Sequence, residues 1–375
     1  MSDFARIVFI CGSLEPGQDG VGDYTRLLAS QFRKTGHTAS MVSLADKQVD
    51  NVETELQLDV KALRISQKLP VNTRLERLAE FIRAQSPQYI VLQYVPFAYH
   101  SKGLPQTLLA AFNARFHKIP THWMCHELWC GISHKSGLKE RLLGALQKQL
   151  LKRLLTKATS ISTSNPNYRE RLQSITTKPV NLLPLFSNIP LEPPTDSVPL
   201  KQETEQTKLR IIIFGRIAAD FPTKSFFSQL EYKLTQAQRT AEIISIGRLD
   251  RGEDAWAAFQ SSTLQRLSFQ RLGELSTTEI NAHIFDAHFG LATTPLEGIG
   301  KSGSALALLE RGKPVIGHFQ SKRSIGICPG QFPDGQLIAI DDLAQSTLER
   351  PPTFIISAQL PKVAKMQLEL LLHPS

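Results

Sequence analysis

The sequence predicts an α/β protein made of two doubly wound domains, each built around a mostly parallel sheet. Three observations indicate this fold class. The chain has 375 residues, which suits two domains of ordinary size. Short apolar runs alternate with segments of helical spacing in both halves, a pattern typical of right-handed βαβ crossovers. A proline-rich polar stretch interrupts that alternation near the middle of the chain.

The first half, residues 1–186, alternates from its start. The runs expected to be strands are RIVFICG, TASMVSL, YIVLQYV, THWMC and SIST. The runs expected to be helices are DYTRLLASQFRKTG, RLERLAEFIRAQ, LPQTLLAAFNARF and ERLLGALQKQLLKRLLTKA. Asn165-Pro166 predicts the start of a further short helix, because proline is favoured at the first helical position.

Residues 187–207 are rich in proline and polar side chains and are predicted to be the linker. In residues 208–350 the alternation of strands and helices resumes. The runs expected to be strands are LRIIIFG, AEIISIG, AHFGLATT and PVIG. The runs expected to be helices are SFFSQLEYKL, DAWAAFQ, TTEINAHIFD and SALALLERG. Residues 351–375 are expected to pack back toward the first domain. Because ligands of open α/β sheets bind at the carboxyl ends of strands, we expect the two domains to face each other across a ligand-binding cleft.

Composition excludes several other classes of protein. Hydrophobic residues make up 41% and charged residues 21%, which argues against a disordered chain. The four cysteines are scattered without a CxxC pair, as in a protein of a reducing cytoplasm, and this excludes a disulfide framework or a zinc site. No apolar run reaches the ~18 residues of a membrane span. The amino terminus lacks the basic start of a signal peptide, so we expect a cytoplasmic protein.

The net charge of +9 is concentrated in the first half. Residues 1–190 contain 24 Lys and Arg against 14 Asp and Glu, and the remainder is close to neutral. This excess either favours an anionic partner or only keeps the protein in solution. Residues 139–157 form a basic amphipathic helix whose leucine stripe would either join the core or lie on an anionic membrane. No aromatic residue is interleaved with its basic residues, so we expect no nucleic-acid partner.

The segment LEGIGKSGSALALL, residues 296–309, contains the motif that bears most on function. Gly300-Lys301-Ser302 matches the end of a triphosphate-binding P-loop, but Pro295 stands where that motif requires its first glycine, which argues against a P-loop. The glycines allow backbone amides to approach a ligand, and Ser302 or Ser304 can cap the following helix, whose amino end favours anions. The segment therefore predicts a phosphate-binding turn, with a glycine-rich turn that binds no ligand as the alternative.

The order of motifs from about residue 5 to 345 resembles that of family-4 glycosyltransferases with the GT-B fold, which consists of two Rossmann-like domains. In the second half the matching motifs are Gly215-Arg216, Gly247, Glu297-Gly298-Ile299-Gly300 and Gly312-Lys313-Pro314-Val315-Ile316. In the first half they are the glycine segment and helix DGVGDYTRLLASQFRKTG and the strand with a His-Glu pair, THWMCHELW. Each motif is weak alone, and their common order along the chain carries the resemblance.

The resemblance implies a retaining glycosyltransferase that moves a sugar from a nucleotide sugar to a hydroxyl of a saccharide or lipid-linked glycan, without a metal or a further cofactor. Such a role suits envelope or exopolysaccharide synthesis at the inner face of a membrane. Negative charge grows on the departing diphosphate, which cations and amides must then stabilise. Catalytic roles are implied for His126 and Glu297. Donor binding is implied for Gly20, Gly22, Arg216, Lys224, Gly298, Ile299, Gly300, Lys301, Ser302 and Gly303.

Two features limit the assignment. His126-Glu127 also begins the zinc-protease motif HExxH, but Cys130 stands where the second histidine is required, which excludes that site. The family has a second glutamate, which holds the donor ribose. Counted forward from Glu297 its position is Ala305, and counted back from Gly312 it is Ala307, so neither count gives a carboxylate. Glu310 lies too near the helix end to substitute for it. A non-catalytic protein that binds nucleotide or glycan as a scaffold, and an epimerase-like enzyme that hydrolyses nucleotide sugars, therefore remain alternatives.

Overall fold

The computed structural model describes residues 4–132, 136–192, 208–249, 252–260, 264–321 and 323–374. The chain divides into unit 1, Met1–Pro184 with Leu360–Ser375, and unit 2, Leu185–Gln359. Each unit is built on one sheet of mostly parallel strands with helices between them, so the predicted α/β class is confirmed. Residues 193–207, most of the predicted linker, lie outside the described part of the chain.

Unit 1 contains an eight-stranded sheet. Its strands are β1 (Arg6–Cys11), β2 (Thr38–Asp46), β3 (Val52–Gln57), β4 (Val60–Ser66), β5 (Tyr89–Tyr94), β6 (Thr121–Cys125), β7 (Ser160–Thr163) and β8 (Val180–Leu182). Its helices are α1 (Gly20–Lys34), α2 (Val71–Gln85), α3 (Pro96–Tyr99), α4 (Gln106–Phe116), α5 (Leu138–Leu155), α6 (Pro166–Gln173) and, at the end of the chain, α12 (Leu360–Leu372). The strand order is β3-β4-β2-β1-β5-β6-β7-β8. The order reverses between β1 and β5, so the switch point of this sheet lies there.

Unit 2 contains a six-stranded sheet. Its strands are β9 (Lys208–Phe214), β10 (Thr240–Ile246), β11 (Leu267–Gly273), β12 (Phe289–Leu291), β13 (Val315–Gly317) and β14 (Leu337–Ala339). Its α-helices are α7 (Thr223–Gln236), α8 (Glu253–Gln260), α9 (Thr277–Asp286), α10 (Gly303–Glu310) and α11 (Gln345–Glu349). The order is β11-β10-β9-β12-β13-β14, and all of these neighbours pair in parallel. The switch point lies between β9 and β12.

The strands have the composition that parallel sheets require. Five of the six residues of β1 are buried, and β5 and β6 are similarly buried along almost their whole length, because helices cover both faces of the sheet.

Helix α12 packs against α1 within unit 1. Asn165 caps α6 through its side chain, which accepts from the Asn167 amide at 2.8 Å, as the Asn-Pro pair predicts.

The sequence pattern did not indicate the hairpin of β3 and β4. These strands pair antiparallel at the edge of the unit 1 sheet. Their two-residue turn is Leu58-Asp59, and both residues have positive φ, 50° and 61°. Tight hairpin turns of this kind are normally marked by Asn-Gly or Asp-Gly, so a turn without glycine gives little signal in the sequence.

A buried ion pair fixes the loop that follows β1. Asp46, at the end of β2, is fully buried and accepts hydrogen bonds from Arg64 Nε at 3.0 Å, from the Leu14 amide at 3.1 Å and from Ser13 Oγ at 3.1 Å. Burial raises the pKa of Asp46, but the bonds from Arg64, Gln48, Leu14 and Ser43 outweigh it, so the pKa lies below its ordinary value. The carboxylate therefore holds residues 13 and 14 in position before α1 begins.

The residues just after Pro184, at the start of unit 2, are hydrogen-bonded to other parts of that unit. The Ser187 amide donates to Glu310 Oε1 at 2.6 Å, and Gln331 Nε2 donates to the Leu185 carbonyl at 2.8 Å. Arg311 is buried and donates to Asn281 Oδ1 at 2.7 Å and to the Pro190 carbonyl at 2.9 Å, and burial lowers its pKa to about 10. The first residues of the predicted linker are thus anchored by the end of α10.

Within the described residues, no helix has both the length and the apolar composition needed to cross a membrane.

We predict that Asp46→Asn lowers the free energy of unfolding by about 3 kcal/mol at pH 7, because it removes the only fully buried carboxylate of the three that pair with Arg64, leaving the more exposed Glu15 and Glu55. A carboxyl whose pKa is depressed in the folded state stabilises the fold above its unfolded-state pKa, and this stabilisation is lost as the pH falls through the folded-state pKa. The difference between wild type and variant should therefore shrink in acid. Urea unfolding at several pH values measures this difference in the free energy of unfolding.

The matched control is Asp50→Asn, which removes an ion pair with Lys68 that is largely exposed and should change stability little. An Asp46→Asn variant as stable as this control, or a difference that does not depend on pH, would contradict the role assigned to Asp46.

Candidate functional site

The glycine-rich loop of unit 2, residues 296–302, leads directly into α10. Residues Leu296–Lys301 form a 3₁₀ helix, and Ser302 is the N-cap of α10. Its hydroxyl accepts from the Ala305 amide at 3.3 Å and lies 3.1 Å from Ser304 Oγ. The sequence predicted that either Ser302 or Ser304 caps this helix, and in the structure the cap is Ser302. The arrangement fixes the amino end of α10, with its partial positive charge, next to the loop.

The predicted donor-binding residues of this loop differ in their surroundings. A Cβ atom on Gly300 would lie 2.6 Å from the Gly326 carbonyl oxygen, whereas on Gly298 the nearest atom would be 3.8 Å away. Gly303, the first residue of α10, has similar space, with Asn188 atoms at 3.9 Å. The Ile299 side chain is fully buried in the core of unit 2, so only its main chain can face a ligand. Lys301 is half-buried.

Glycine backbones bring the strand ends and α10 into contact at the switch point of unit 2. Gly215 follows β9 with φ of 82°, and Gly247 follows β10 with φ of 98°, conformations that favour glycine. A Cβ on Gly247 would touch Gly215 Cα at 3.4 Å, and one on Gly215 would lie 3.5 Å from Ser304 Cβ. The carboxyl ends of β9 and β10 thus meet the amino end of α10.

Thr293, just after β12, connects the two strands at this switch point. Its hydroxyl accepts from the Ala218 amide at 3.1 Å and donates to the Arg216 carbonyl at 3.3 Å. Arg216 is exposed in the turn after β9, and Lys224 is exposed in the first turn of α7, so both cations lie on the β9–α7 connection. The crevice at such a switch point is where open α/β sheets bind ligands.

The Glu297 carboxylate is held by main-chain amides. It accepts from the Gln320 amide at 3.0 Å and from the Ser321 amide at 2.7 Å, in the segment after β13. Next to it, burial lowers the pKa of His318, although the charges of Asp220 and Glu297 oppose that shift. These two amide bonds hold the Glu297 side chain in place beside the glycine-rich loop.

No carboxylate occupies the helix positions of the family's second glutamate. Ala305 and Ala307 are both buried in α10. Glu310 is buried too, and its carboxylate accepts from the Ser187 amide. The three positions considered in the sequence therefore serve packing and anchoring. In the described part of the chain, no three His, Cys, Asp or Glu side chains are grouped so that they could hold a metal ion.

In unit 1 the predicted glycine segment is the first turn of α1. Asp19 caps this helix, since its Oδ1 accepts from the Val21 amide at 2.8 Å and from the Gly22 amide at 2.9 Å. Gly20 is the first residue of the helix. A Cβ on Gly22 would lie 2.5 Å from the Ser13 carbonyl oxygen, so glycine is needed here for the approach of the β1–α1 loop.

His126, directly after β6, lies at the same carboxyl edge as this turn. It is buried, its amide donates to the Tyr94 carbonyl at 3.0 Å, and its Nε2 lies 2.7 Å from Gln93 Oε1. The Tyr24 ring, on α1, meets the imidazole edge-on at a centroid distance of 5.1 Å. Gln93 and Tyr24 were missed in the sequence, where the only signal is a polar residue inside the otherwise apolar run YIVLQYV.

The topology of the two sheets defines the GT-B fold, and solved structures of that fold resemble the whole chain. The catalytic domain of starch synthase IV from Arabidopsis thaliana, bound to ADP and acarbose, has a TM-score of 0.56 and 10% identity over 98% of both chains. HepE of Anabaena, in complex with UDP and glucose, has a TM-score of 0.55 and 16% identity over 97% of this chain and 95% of that one. UDP-GlcNAc 2-epimerase from Methanocaldococcus jannaschii has a TM-score of 0.51 and 9% identity over 98% of this chain and 99% of that one.

A family model matches a segment that lies almost wholly in unit 1. Residues 19–185 match the model of the glycosyl transferase 4-like domain. This match covers less than half of the chain, and together with the fold of the solved structures it confirms the resemblance to family-4-like GT-B glycosyltransferases that the sequence predicted. No curated protein matches it in sequence.

We predict that Gly300→Ala destabilises unit 2 by about 2 kcal/mol, because its methyl group would overlap the Gly326 carbonyl oxygen. Gly298→Ala, two residues earlier in the same loop, has room for the methyl group and should be nearly neutral. Thermal and urea unfolding of both variants measure the difference. Equal losses of stability would show that the close approach at Gly300 is not the constraint.

Proposed function

We propose that the protein is a retaining, metal-independent glycosyltransferase that moves a sugar from a nucleotide-sugar donor to a hydroxyl of a saccharide or lipid-linked glycan. The observation that carries this proposal is the switch point of unit 2. There the ends of β9 and β10, the capped amino end of α10 and the Arg216 turn come together around glycine backbones. These are features that bind a diphosphate without a metal.

The chemistry of transfer assigns a role to each group. The departing nucleoside diphosphate gains negative charge, which Arg216, Lys224, Lys301 and the amides at the amino end of α10 would stabilise. Glu297, fixed by the Gln320 and Ser321 amides, would lie on the sugar side of the loop. The starch synthase and HepE structures contain ADP and UDP, which supports a nucleoside diphosphate as the donor's leaving group.

The acceptor side is proposed for unit 1. There His126 lies at the carboxyl edge of the sheet, next to the first turn of α1 through the Tyr24 ring. Gly20 and Gly22, in that turn, are proposed to bind the donor through their main chain. His126 would hydrogen-bond the sugar or the incoming hydroxyl, since a neutral imidazole can accept a proton from a hydroxyl group.

The pattern of exposed side chains on helix α5 supports the proposal that the acceptor is linked to a membrane. The sequence predicted one leucine stripe from Leu142 to Leu155, and the structure divides it: Leu150, Leu151, Leu154 and Leu155 are buried in the core, whereas Leu142 and Leu146 are each 61% exposed. Leu138, which precedes the predicted stripe, is 74% exposed. The exposed leucines are spaced four residues apart, so they lie on one side of the helix. Lys139, Arg141 and Lys148 are exposed on the same turns. We propose that this half of α5 docks on an anionic phospholipid surface from the cytoplasmic side.

A second candidate is a non-catalytic protein that binds a nucleotide or glycan. It is favoured by one observation, the absence of a carboxylate from the α10 positions Ala305 and Ala307, with Glu310 engaged by Ser187. Under this alternative the nucleotide binds but is not turned over. Incubation with UDP-, ADP- and GDP-sugars in the presence of EDTA distinguishes the two, since a transferase gives slow donor hydrolysis or transfer, with retained anomeric configuration in the product.

We predict that Arg216→Ala raises the dissociation constant for the bound nucleoside diphosphate by about 10- to 100-fold, because a charge-assisted bond to phosphate is lost. Isothermal titration with UDP, ADP and GDP, chosen by a thermal-shift screen, measures it. Arg350→Ala, which removes an exposed arginine at the end of α11, is the matched control and should bind as wild type does. Unchanged affinity in Arg216→Ala would remove Arg216 from the donor site, and no stabilisation by any nucleotide would reject the proposed function.

We predict that replacing Lys139, Arg141 and Lys148 together by glutamine weakens binding to vesicles of anionic phospholipid on the order of 100-fold. Replacing Leu138, Leu142 and Leu146 by glutamine should also weaken binding, because their apolar area no longer enters the interface. Co-sedimentation measures both, with Ile355→Gln, a change at an exposed apolar residue of unit 2, as the control. Binding that is indifferent to lipid charge and salt would contradict the docking.

A further inference from the structure

The chain passes between unit 1 and unit 2 at two places. Residues 185–190 follow the first passage and residues 354–359 precede the second, and both stretches belong to unit 2. We name them the first and the second connecting segment. Both segments contact the carboxyl end of the same helix, α10, whose amino end carries the proposed diphosphate turn.

The first connecting segment is bonded to side chains at the carboxyl end of α10. The Ser187 amide donates to the Glu310 carboxylate at 2.6 Å. Arg311 donates through Nη2 to the Pro190 carbonyl at 2.9 Å and to the Ile189 carbonyl at 3.3 Å. Glu310 and Arg311 are both buried, so these bonds involve charged groups that are shielded from water. Such bonds are stronger than those between neutral, solvated groups.

The second connecting segment meets the same helix end through its main chain. The Ser357 amide donates to the Glu310 carbonyl at 2.8 Å. Gly312 has φ of 72°, and a Cβ atom there would overlap the Phe354 carbonyl oxygen, so glycine is required both for its conformation and for this close approach. The three consecutive residues 310–312 therefore anchor both connecting segments.

The first connecting segment also reaches the amino end of α10. Ser302 caps that end, and a Cβ atom on Gly303, the first residue of the helix, would lie 3.9 Å from the side-chain amide of Asn188. The helix has eight residues and so spans about 12 Å. The diphosphate turn and the anchor at residues 310–312 are thus separated only by the length of this helix.

Helix α10 has little freedom to absorb a displacement within itself. All residues from Ala305 to Glu310 are buried. Near its carboxyl end, Gln336 Nε2 donates to the Leu309 carbonyl at 2.8 Å, and Arg311 Nη1 donates to the Ala307 carbonyl at 2.9 Å. Because a close-packed element transmits strain, a displacement of the amino end of α10 should be passed on to the anchor.

We infer that α10 couples the diphosphate turn to both connecting segments, with Glu310 and Arg311 as positioning residues. A nucleoside diphosphate binds the amides of the turn when α10 is in the position that the anchor fixes. Binding therefore disfavours local opening of the connecting segments. Coupling of binding free energies is reciprocal, so release of the segments weakens nucleotide binding. The anchoring is a property of unit 2, and its effect on a nucleotide rests on the proposed function.

Hydrogen exchange of the full-length wild-type protein tests the coupling without any substitution. It is followed by mass spectrometry with and without a saturating nucleoside diphosphate, chosen from UDP, ADP and GDP by thermal shift. Exchange at the amides of Ser187 and Ser357 should slow by about 10-fold, together with exchange in residues 296–305. Protection of residues 296–305 with unchanged exchange in both connecting segments would overturn the inference.

Substitutions at the anchor test the reciprocal effect. Glu310→Met and Arg311→Met should each speed exchange in the connecting segments without nucleotide and raise the dissociation constant by about 10-fold. The matched control is Arg74→Met, which replaces a buried arginine of unit 1 that donates to the Leu44 carbonyl at 3.0 Å. It should lower stability without changing nucleotide affinity. Anchor variants that bind nucleotide as tightly as Arg74→Met would show that the inference is wrong.

Failure of the coupling and failure of the proposed function give different results. If none of the three nucleotides binds, the proposed function fails and the coupling fails with it, while faster exchange in the Glu310→Met and Arg311→Met variants still shows the anchoring. If a nucleotide binds and protects residues 296–305 but leaves the connecting segments unchanged, the proposed diphosphate site stands and the coupling through α10 is rejected.

Discussion

Parallel pairing of strands is the constraint on which both units depend. Except for β3, the strands of both sheets run parallel, so each connection must cross a face of the sheet and both faces become buried. The central strands β1, β5 and β9 accordingly consist mainly of buried apolar side chains. The candidate site residues lie at the carboxyl edges, near the switch points β1/β5 and β9/β12, where the helices that follow neighbouring strands diverge and leave a crevice.

The two units use this edge in different ways. In unit 2, glycines follow β9 and β10, and a Cβ atom on Gly215 or Gly247 would lie only 3.5 or 3.4 Å from Ser304 or Gly215, so the strand ends and the amino end of α10 lie close together. In unit 1, a fully buried carboxylate, Asp46, and the N-cap Asp19 fix the main chain around α1, while Gln93 and Tyr24 contact His126. The first arrangement has exposed cations at the edge of the sheet, and the second has one buried imidazole there.

Local features of the fold could be predicted from the sequence, and contacts between distant residues could not. Apolar runs gave most strands, and Asn165-Pro166 and Ser302 marked helix starts that the structure confirms. The β3–β4 hairpin was missed because Leu58-Asp59 forms its turn without glycine. The bonds Gln93–His126 and Ser187–Glu310 join residues 33 and 123 positions apart, which no local pattern encodes. The leucine stripe of α5 was visible, but its division into a buried and an exposed half depends on what packs against it.

The assignment of the glycine-rich loop as a diphosphate site is tested most directly by backbone hydrogen exchange, followed by mass spectrometry with and without saturating nucleoside diphosphate. Ligand contact with the amides at the amino end of α10 should slow exchange in peptides that cover residues 296–305 and the turn at Gly215 and Arg216. Protection found only outside these two segments, in a protein that binds the nucleotide, would contradict the assignment.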